Sequence, residues 1–221
     1  MRIGLFGGTF NPFHFGHLRA ALEVKKAFSL DRNYIIPSAI PPHKNNLGLV
    51  KARDRLEMIR QAVSEHPDLV VSDIELTRSG PSYTIDTVNH FNSTFSENTR
   101  LYLIVGLDAF LEIDTWKSYD DLLQIIPFIV IARPDPKWQD ASRQRQVLEE
   151  FLKRRISGGY NFSSSRLGFF HADKQPIFIS KLSLLDISSS TIRELIKAGR
   201  SIQSFVPPKV ESYIKSKGLY I

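Results

Sequence analysis

Apolar positions along the chain fall in short runs separated by helix-like polar stretches, and the alternation begins at once. Ile3, Leu5 and Phe6 form a run that stops at Gly7-Gly8, the mark of a buried strand ending in a tight turn. From His17 onward Leu18, Ala21, Leu22, Val24 and Phe28 recur mostly at three- and four-residue steps, which predicts a helix with one buried face. Tyr34 to Ile36, before Pro37, is a second strand, and Ala52 to Ser64 a helix with Leu56, Ile59, Ala62 and Val63 inward. Val70, Val71 and Ile74 suggest a further strand pair. Thr84 to Phe95 reads as a helix, Leu101 to Val105 as an apolar strand ending at Gly106, and Phe128 to Ala132 as another ahead of Arg133-Pro134. Between Pro134 and His171 the composition turns to Arg, Lys, Gln and Glu, with loops at Gly158-Gly159 and Ser163 to Ser165, and reads as a solvated helix and an exposed connection. Ile177 to Ile179 is the last strand, followed by helices from about Thr191 to Lys197 and about Pro208 to Lys217. This alternation predicts an α/β fold: a doubly wound, mostly parallel sheet with helices on both faces. No repeat or linker interrupts it, so residues 1–221 are expected to form a single domain with a small C-terminal helical part, about 187–221.

Composition narrows the function classes. Of 221 residues, 42% are hydrophobic, enough to bury a core, so disorder is not the expected state. The net charge of +6 is spread along the chain; it is compatible with polyphosphate ligands, and without an RNP, KH or zinc-finger signature it does not point to nucleic acid. The absence of cysteine excludes disulfides, thiol catalysis and cysteine-ligated zinc or iron–sulfur sites. The most apolar stretch, Leu122 to Ala132, is eleven residues long and contains Gln124 and Pro127, against the roughly 20 that a membrane helix needs. No secretory pattern opens the chain, and the expectation is a cytoplasmic protein that does not span a membrane.

Two constellations carry chemistry. The first, Gly7 to His17, reads GGTFNPFHFGH and lies between the first strand and the first helix, at the sheet edge where α/β proteins bind ligands. It is neither G-x-G-x-x-G nor G-x-x-x-x-G-K-[ST]. His14 and His17, three apart at a helix start, can approach one anion with their N–H groups, aided by the helix's free amides. Capping or structural histidines remain an alternative, as does a metal pair, which would need further ligands that no HExxH motif or cysteine supplies. The second constellation runs from Ile187 to Glu194. Thr191-x-x-Glu194 fits a capping box, which puts Arg193 in the first turn, where the macrodipole disfavours a cation. A bound anion, with Ser188, Ser189 and Ser190 beside it, would remove that conflict; an arginine pointing into water is the alternative. Two anion sites together would suit a triphosphate.

With both constellations in place, the chain resembles the (H/T)xGH nucleotidyltransferase superfamily, here His14-Phe15-Gly16-His17 with an ISSTxIR-type signature at Ile187 to Arg193. Within it, the resemblance is to bacterial nicotinate-nucleotide adenylyltransferases and covers nearly the whole chain. GGTFNPFHFGHLRAA, IIPSAIPPHK, Arg53 to Met58, GPSYTIDTV, LYLIVGLDAF, Trp116, Ala132-Arg133-Pro134, ISSSTIREL and VPPKVESYI follow the family's order and spacing. Asn11 stands where the family usually has Asp, Leu107 where it usually has Ala, and the stretch from Pro134 to His171 is longer than usual.

The resemblance implies a Rossmann-like fold and transfer of AMP from ATP to nicotinate mononucleotide, giving deamido-NAD and pyrophosphate with Mg²⁺. It implies His14, His17 and Arg193 as catalytic, His17 foremost at the α-phosphate, with Ser190 and Arg193 as the clamp on the β- and γ-phosphates. Gly7, Gly8, Thr9 and Phe10 resemble the backbone cradle for phosphates, and Gly106 and Asp108 the segment along the riboses. Thr9 and Lys44 resemble contacts to the mononucleotide phosphate; Tyr83 and Trp116 would sandwich the pyridine ring, and Arg133 is a weaker candidate for the nucleotide pocket. Thr84, opening a helix, would receive the nicotinate carboxylate, since helix-terminal donors suit a carboxylate better than a carboxamide. No protein ligand for the metal is assigned. Nicotinamide mononucleotide or another phosphate acceptor, and a nucleotide-binding regulator without turnover, are the alternatives.

Overall fold

The strands of the chain, in a computed structural model that describes residues 1–40, 48–131, 141–180, 185 and 187–221, are β1 (Arg2–Gly8), β2 (Arg32–Pro37), β3 (Leu69–Val71), β4 (Arg100–Gly106), β5 (Phe128–Ile131), β6 (Asn161–Ser163), β7 (Gly168–Phe170) and β8 (Ile177–Ser180). They form one sheet in the order β3-β2-β1-β4-β5-β8-β7-β6. Every pairing from β3 to β8 is parallel, and β8-β7-β6 continues antiparallel. From β1 the chain adds β2 and β3 on one side, then returns to add β4 and β5 on the other. The reversal leaves a crevice outside the carboxyl ends of β1 and β4, the place where such sheets bind ligands.

Side-chain alternation explains why both faces are covered. Leu101, Leu103 and Val105 enter one core with Ile3 and Leu5, while Tyr102 and Ile104 enter the other with Phe6 and Ile35. The first core is closed by α4 (Thr84–Thr94), α6 (Tyr119–Ile125) and α7 (Ala141–Phe151), the second by α1 (Phe15–Ala27), α2 (Ala52–Val63), α8 (Ser189–Lys197) and α9 (Pro208–Lys217). Each fully buried Leu, Ile, Val or Phe contributes about 1.5–3 kcal/mol, so strands apolar on both faces hold the centre. Gly4 is bare for packing reasons: a Cβ there would collide with Asn33, whose Nδ2 is committed to the Ala21 carbonyl at 2.7 Å.

Two expectations are corrected. Ile74 does not join a strand but opens the short α3 (Ile74–Thr77); three-residue β3 ends at Val71, and Ser72-Asp73 turn the chain. The connection after α7 is not all exposed. A π-helical turn (Leu152–Ile156) follows α7, and β6 and β7 then widen the sheet, with Leu152, Tyr160 and Phe169 fully buried. Strands of three residues around a Ser-rich turn are too short to show an alternation, which is why the pattern looked like loop. No helix among the described residues is long and apolar enough to cross a membrane.

Candidate active site

The loop after β1 is built around aromatic packing. Phe10 takes a positive φ of 49°, rare for a non-glycine residue, and its buried ring meets Phe6, Phe13 and His17 at centroid distances of 5.6, 5.4 and 5.0 Å. Its side chain therefore belongs to the core, and what it offers a ligand is main chain. Gly8 cannot carry a Cβ without striking that ring, whereas a Cβ on Gly7 would meet no protein atom within 4 Å.

The histidines cap the helix that follows. His14 is the N-cap of α1 and its Nδ1 accepts the His17 amide, while His17 Nδ1 accepts the His14 amide, both at 3.3 Å. This is a reciprocal capping box made by two imidazoles, their rings stacked at 3.6 Å and 23°. An Nδ1 that accepts an N–H leaves the proton of a neutral ring on Nε2, so each ring presents an Nε2–H donor, suited to an anion and not to a metal's lone-pair demand. Capping and anion presentation are thus compatible uses of opposite edges of the same rings. Gly16 lies between them because a Cβ there would stand 3.0 Å from His14 Nδ1.

From the far end of the chain, α8 abuts this loop. Its N-cap is Ser188, whose Oγ accepts the Thr191 amide at 3.1 Å. The Thr191–Glu194 capping box is therefore corrected: the helix begins one turn earlier, because serine caps at least as well as threonine. Arg193 consequently sits in the second turn, where its Nη1 donates to the Asn11 carbonyl at 2.8 Å, and Ser189 Oγ donates to the Pro12 carbonyl at 2.9 Å. The helix holds the loop directly and Arg193 does not simply point into water.

These parts enclose a cavity of 330 Å³ lined by Gly7, Gly8, Thr9 and Phe10, by both histidines, by Gly106 and Asp108, and by Ser190 and Arg193. A second cavity, of 250 Å³, contains Tyr83, Thr84 and Trp116 and shares Gly7, Gly8, Thr9 and Gly106 with the first. Thr84 opens α4, which lacks a side-chain cap. Tyr83 and Trp116 are half-buried against the first core, so they pack and line the cavity at once. Asp108 is not a helix cap, since Gly106 precedes the short α5 (Leu107–Phe110). Lys44 and Arg133 lie outside the described residues.

Four contributors escape sequence reading, and a fifth, Asn11, stood out in the sequence only as a departure from the family. Arg55, wholly buried in α2, donates to the carbonyls of Thr9, Ala39 and Val50 at 2.7, 3.2 and 3.3 Å. Its signal was a charge on the apolar stripe of Leu56, Ile59 and Val63. Burial pulls its pKa below the ordinary guanidinium value, opposed by Tyr220 and Glu75. Glu75 lines the second cavity and accepts Thr87 Oγ1 at 2.7 Å; burial pushes its carboxyl up, against the hydrogen bonds of Thr87 and Ser82 and the charges of Arg78 and Arg55. Asn11 uses its side chain on Gly48 O and Val50 N, at 2.9 and 3.3 Å. Tyr220 OH donates to Asn11 Oδ1 at 2.9 Å. Lys117 Nζ stands 4.6 Å from the centre of the Tyr83 ring.

A donor-lined cavity thus adjoins an aromatic one across bare glycines. The family described as cytidylyltransferase-like matches residues 5–195. The chain is 43% identical to the "Probable nicotinate-nucleotide adenylyltransferase" of Desulfatibacillum aliphaticivorans, over all of both chains. It is 38% identical to the one from Citrifermentans bemidjiense, over 100% of this chain and 99% of that one. Plasmodium falciparum nicotinic acid mononucleotide adenylyltransferase complexed with NaAD superposes with a TM-score of 0.73 at 18% identity, covering 99% and 97% of the two chains. The same protein complexed with APC gives 0.71 at 17%, covering 99% and 96%; at such identities the likeness is one of fold. The chain belongs to the cytidylyltransferase-like family and, within it, to the nicotinate-nucleotide adenylyltransferases.

Proposed function

We propose that this enzyme transfers AMP from ATP to nicotinate mononucleotide in NAD biosynthesis, forming deamido-NAD and pyrophosphate, and that residues 1–221 act as one nucleotidyltransferase domain in the cytoplasm. The observation that carries the reading is the pair of cavities sharing Gly7, Gly8, Thr9 and Gly106, one lined by anion donors and the other by aromatic rings. A phosphate oxygen of the mononucleotide attacks the α-phosphorus, the new P–O bond forms, and the bond from that phosphorus to the bridging oxygen of pyrophosphate breaks. The acceptor phosphate is already ionised, so alignment and charge neutralisation dominate and no protein base is needed.

His14 and His17 donate from Nε2 to phosphate oxygens, His17 stabilising the charge that develops at the α-phosphate. Ser190 and Arg193 hold the β- and γ-phosphates, Arg193 with the N–H groups not given to Asn11. Gly7 to Phe10 admit both phosphates to the backbone, Thr9 and Lys44 hold the acceptor phosphate, and Gly106 and Asp108 meet ribose hydroxyls. Tyr83 and Trp116 stack on the pyridine ring, Thr84 receives its carboxylate, and Arg133 is kept as a weaker nucleotide contact.

Magnesium accompanies ATP in this reading. Among the described residues no group of three His, Cys, Asp or Glu side chains could hold an ion, and the first cavity offers one carboxylate, Asp108. That donor set fits an ion held mainly by triphosphate oxygens and water, with Asp108 at hand for its shell. When bound it supplies neutralisation of phosphate charge.

The test is pyrophosphate release with ATP and Mg²⁺, comparing nicotinate mononucleotide with nicotinamide mononucleotide. Release with a clear preference for the acid is expected; no release with either would sink the reading.

A further inference from the structure

We propose that the Lys117 ammonium is a specificity determinant of the second cavity, selecting a pyridine mononucleotide with a ring carboxylate over one with a carboxamide. The proposal rests on the acceptor reading given above. Lys117 follows Trp116 directly, covers the Tyr83 ring at 4.6 Å and lies 3.5 Å from each carboxylate oxygen of Asp86. Asp86 stands in the first turn of α4, two residues beyond Thr84, so the ammonium is held beside the helix end that would face the ring substituent.

Charge makes the case for a role. Among the described residues lining this cavity, Lys117 is the one Lys or Arg, whereas Glu75 and Glu112 are both present. Without Lys117 the only ionisable acids and bases left among the described lining residues, tyrosine aside, would be the carboxyls of Glu75 and Glu112, which disfavour an anionic ligand. The existing contacts of the ammonium are exchangeable: it is half-exposed, its ion pair with half-exposed Asp86 is long, and a surface cation–π contact is weak. A planar ligand stacking on Tyr83 competes with the ammonium for ring surface. A carboxylate compensates that displacement with a charge-assisted hydrogen bond, about twice as strong as a neutral one. A carboxamide offers a neutral oxygen, and its NH₂ faces an ammonium and helix amides that are themselves donors.

The experiment is the ratio of kcat/KM for nicotinate mononucleotide to that for nicotinamide mononucleotide, at saturating ATP and Mg²⁺. Lys117→Gln is expected to lower the ratio about tenfold, equivalent to about 1.4 kcal/mol. Lys117→Arg should restore most of it, and Asp86→Asn should raise it by removing the competing carboxylate. A ratio unchanged in Lys117→Gln, even if both rates fall, overturns the proposal, as does a lower ratio in Asp86→Asn. Wild-type protein using both acceptors equally would overturn it while leaving adenylyl transfer standing. Use of neither acceptor would remove the functional reading and the proposal together.

Discussion

Each histidine of the β1–α1 loop has two nitrogens with two employments, and a substitution can separate them. His14 caps α1 through Nδ1, a task Asn performs well. His14→Asn is therefore expected to leave the thermal melt unchanged or slightly raised while turnover falls about 100-fold, the scale of losing one transition-state donor. Thermal melts run beside steady-state rates check this; parallel losses in both would show that His14 is structural only. A further imidazole, His171, has its Nδ1 engaged in the same way. Ser157 Oγ lies 3.0 Å from His171 Nε2, like a nucleophile and its base, but the Asp173 amide donates to His171 Nδ1 at 3.0 Å. The neutral ring's proton is then on Nε2 and is donated to Ser157, so the histidine cannot take the serine's proton. At this scale, spacing marked His14 and His17 as a candidate anion pair with capping and metal binding still open, and it flagged Arg193 through a first-turn placement that the Ser188 cap moves to the second turn. Lys117 was not legible, because a lysine beside a tryptophan looks solvated until Tyr83 and Asp86 are brought under it.

Elements were most legible where they were long and apolar on a fixed period. The α9 helix, opened by Pro208 and ended after Lys217 by Gly218 in the left-handed region, matches its expected limits, and β4 extends the expected Leu101–Val105 by one residue at each end. Short elements failed for want of period: α3, with four residues, looked like strand from Ile74 alone. That helix matters because it delivers Glu75 beneath α4, where Thr87 Oγ1 donates to it and Arg78 Nη2 reaches Thr87 Oγ1 and the Tyr83 carbonyl at 3.3 and 3.4 Å. Burial raises the Glu75 carboxyl above its ordinary 4.5, so the folded chain binds that proton more tightly than the unfolded chain does. The Glu75 contribution to stability accordingly declines as pH rises from 4.5 through the folded value, and the full penalty is present above both. Glu75→Gln keeps an oxygen for Thr87 and removes the titration. Urea melts over a pH series should show the variant as stable as its parent or more so at neutral pH, the gain shrinking as pH falls. A constant deficit at every pH would mean that Glu75 acts by shape and not by charge.

Across the whole molecule the parallel sheet was readable, since strands apolar on both faces announce helices above and below. The closure of the site was not, because it joins residues at opposite ends of the chain: Ser189 with Pro12, Arg193 with Asn11, Tyr220 with Asn11. No local period encodes such pairs. Their arrangement makes Asn11 a hub, its side chain fixed by Gly48, Val50 and Tyr220 and its carbonyl holding Arg193. Asparagine suits the post better than the aspartate usual in the family, since its Nδ2 can donate to the Gly48 carbonyl. The Tyr220 ring is nearly buried near both Arg193 and Arg55, and burial raises its pKa far above the ordinary 10.0, so it remains a hydrogen-bond donor across the working pH range. Tyr220→Phe removes that donor and little else. One buried hydrogen bond contributes about 1 kcal/mol, a fall of roughly 2–4 °C in melting temperature for a chain of this size. If Tyr220 also positions Arg193 through Asn11, the apparent KM for ATP should rise severalfold while that for the mononucleotide stays near its original value, because the hub faces only the phosphate cavity. Equal increases for both substrates would instead assign Tyr220 to general rigidity, and an unchanged ATP response would cut the tail out of the site.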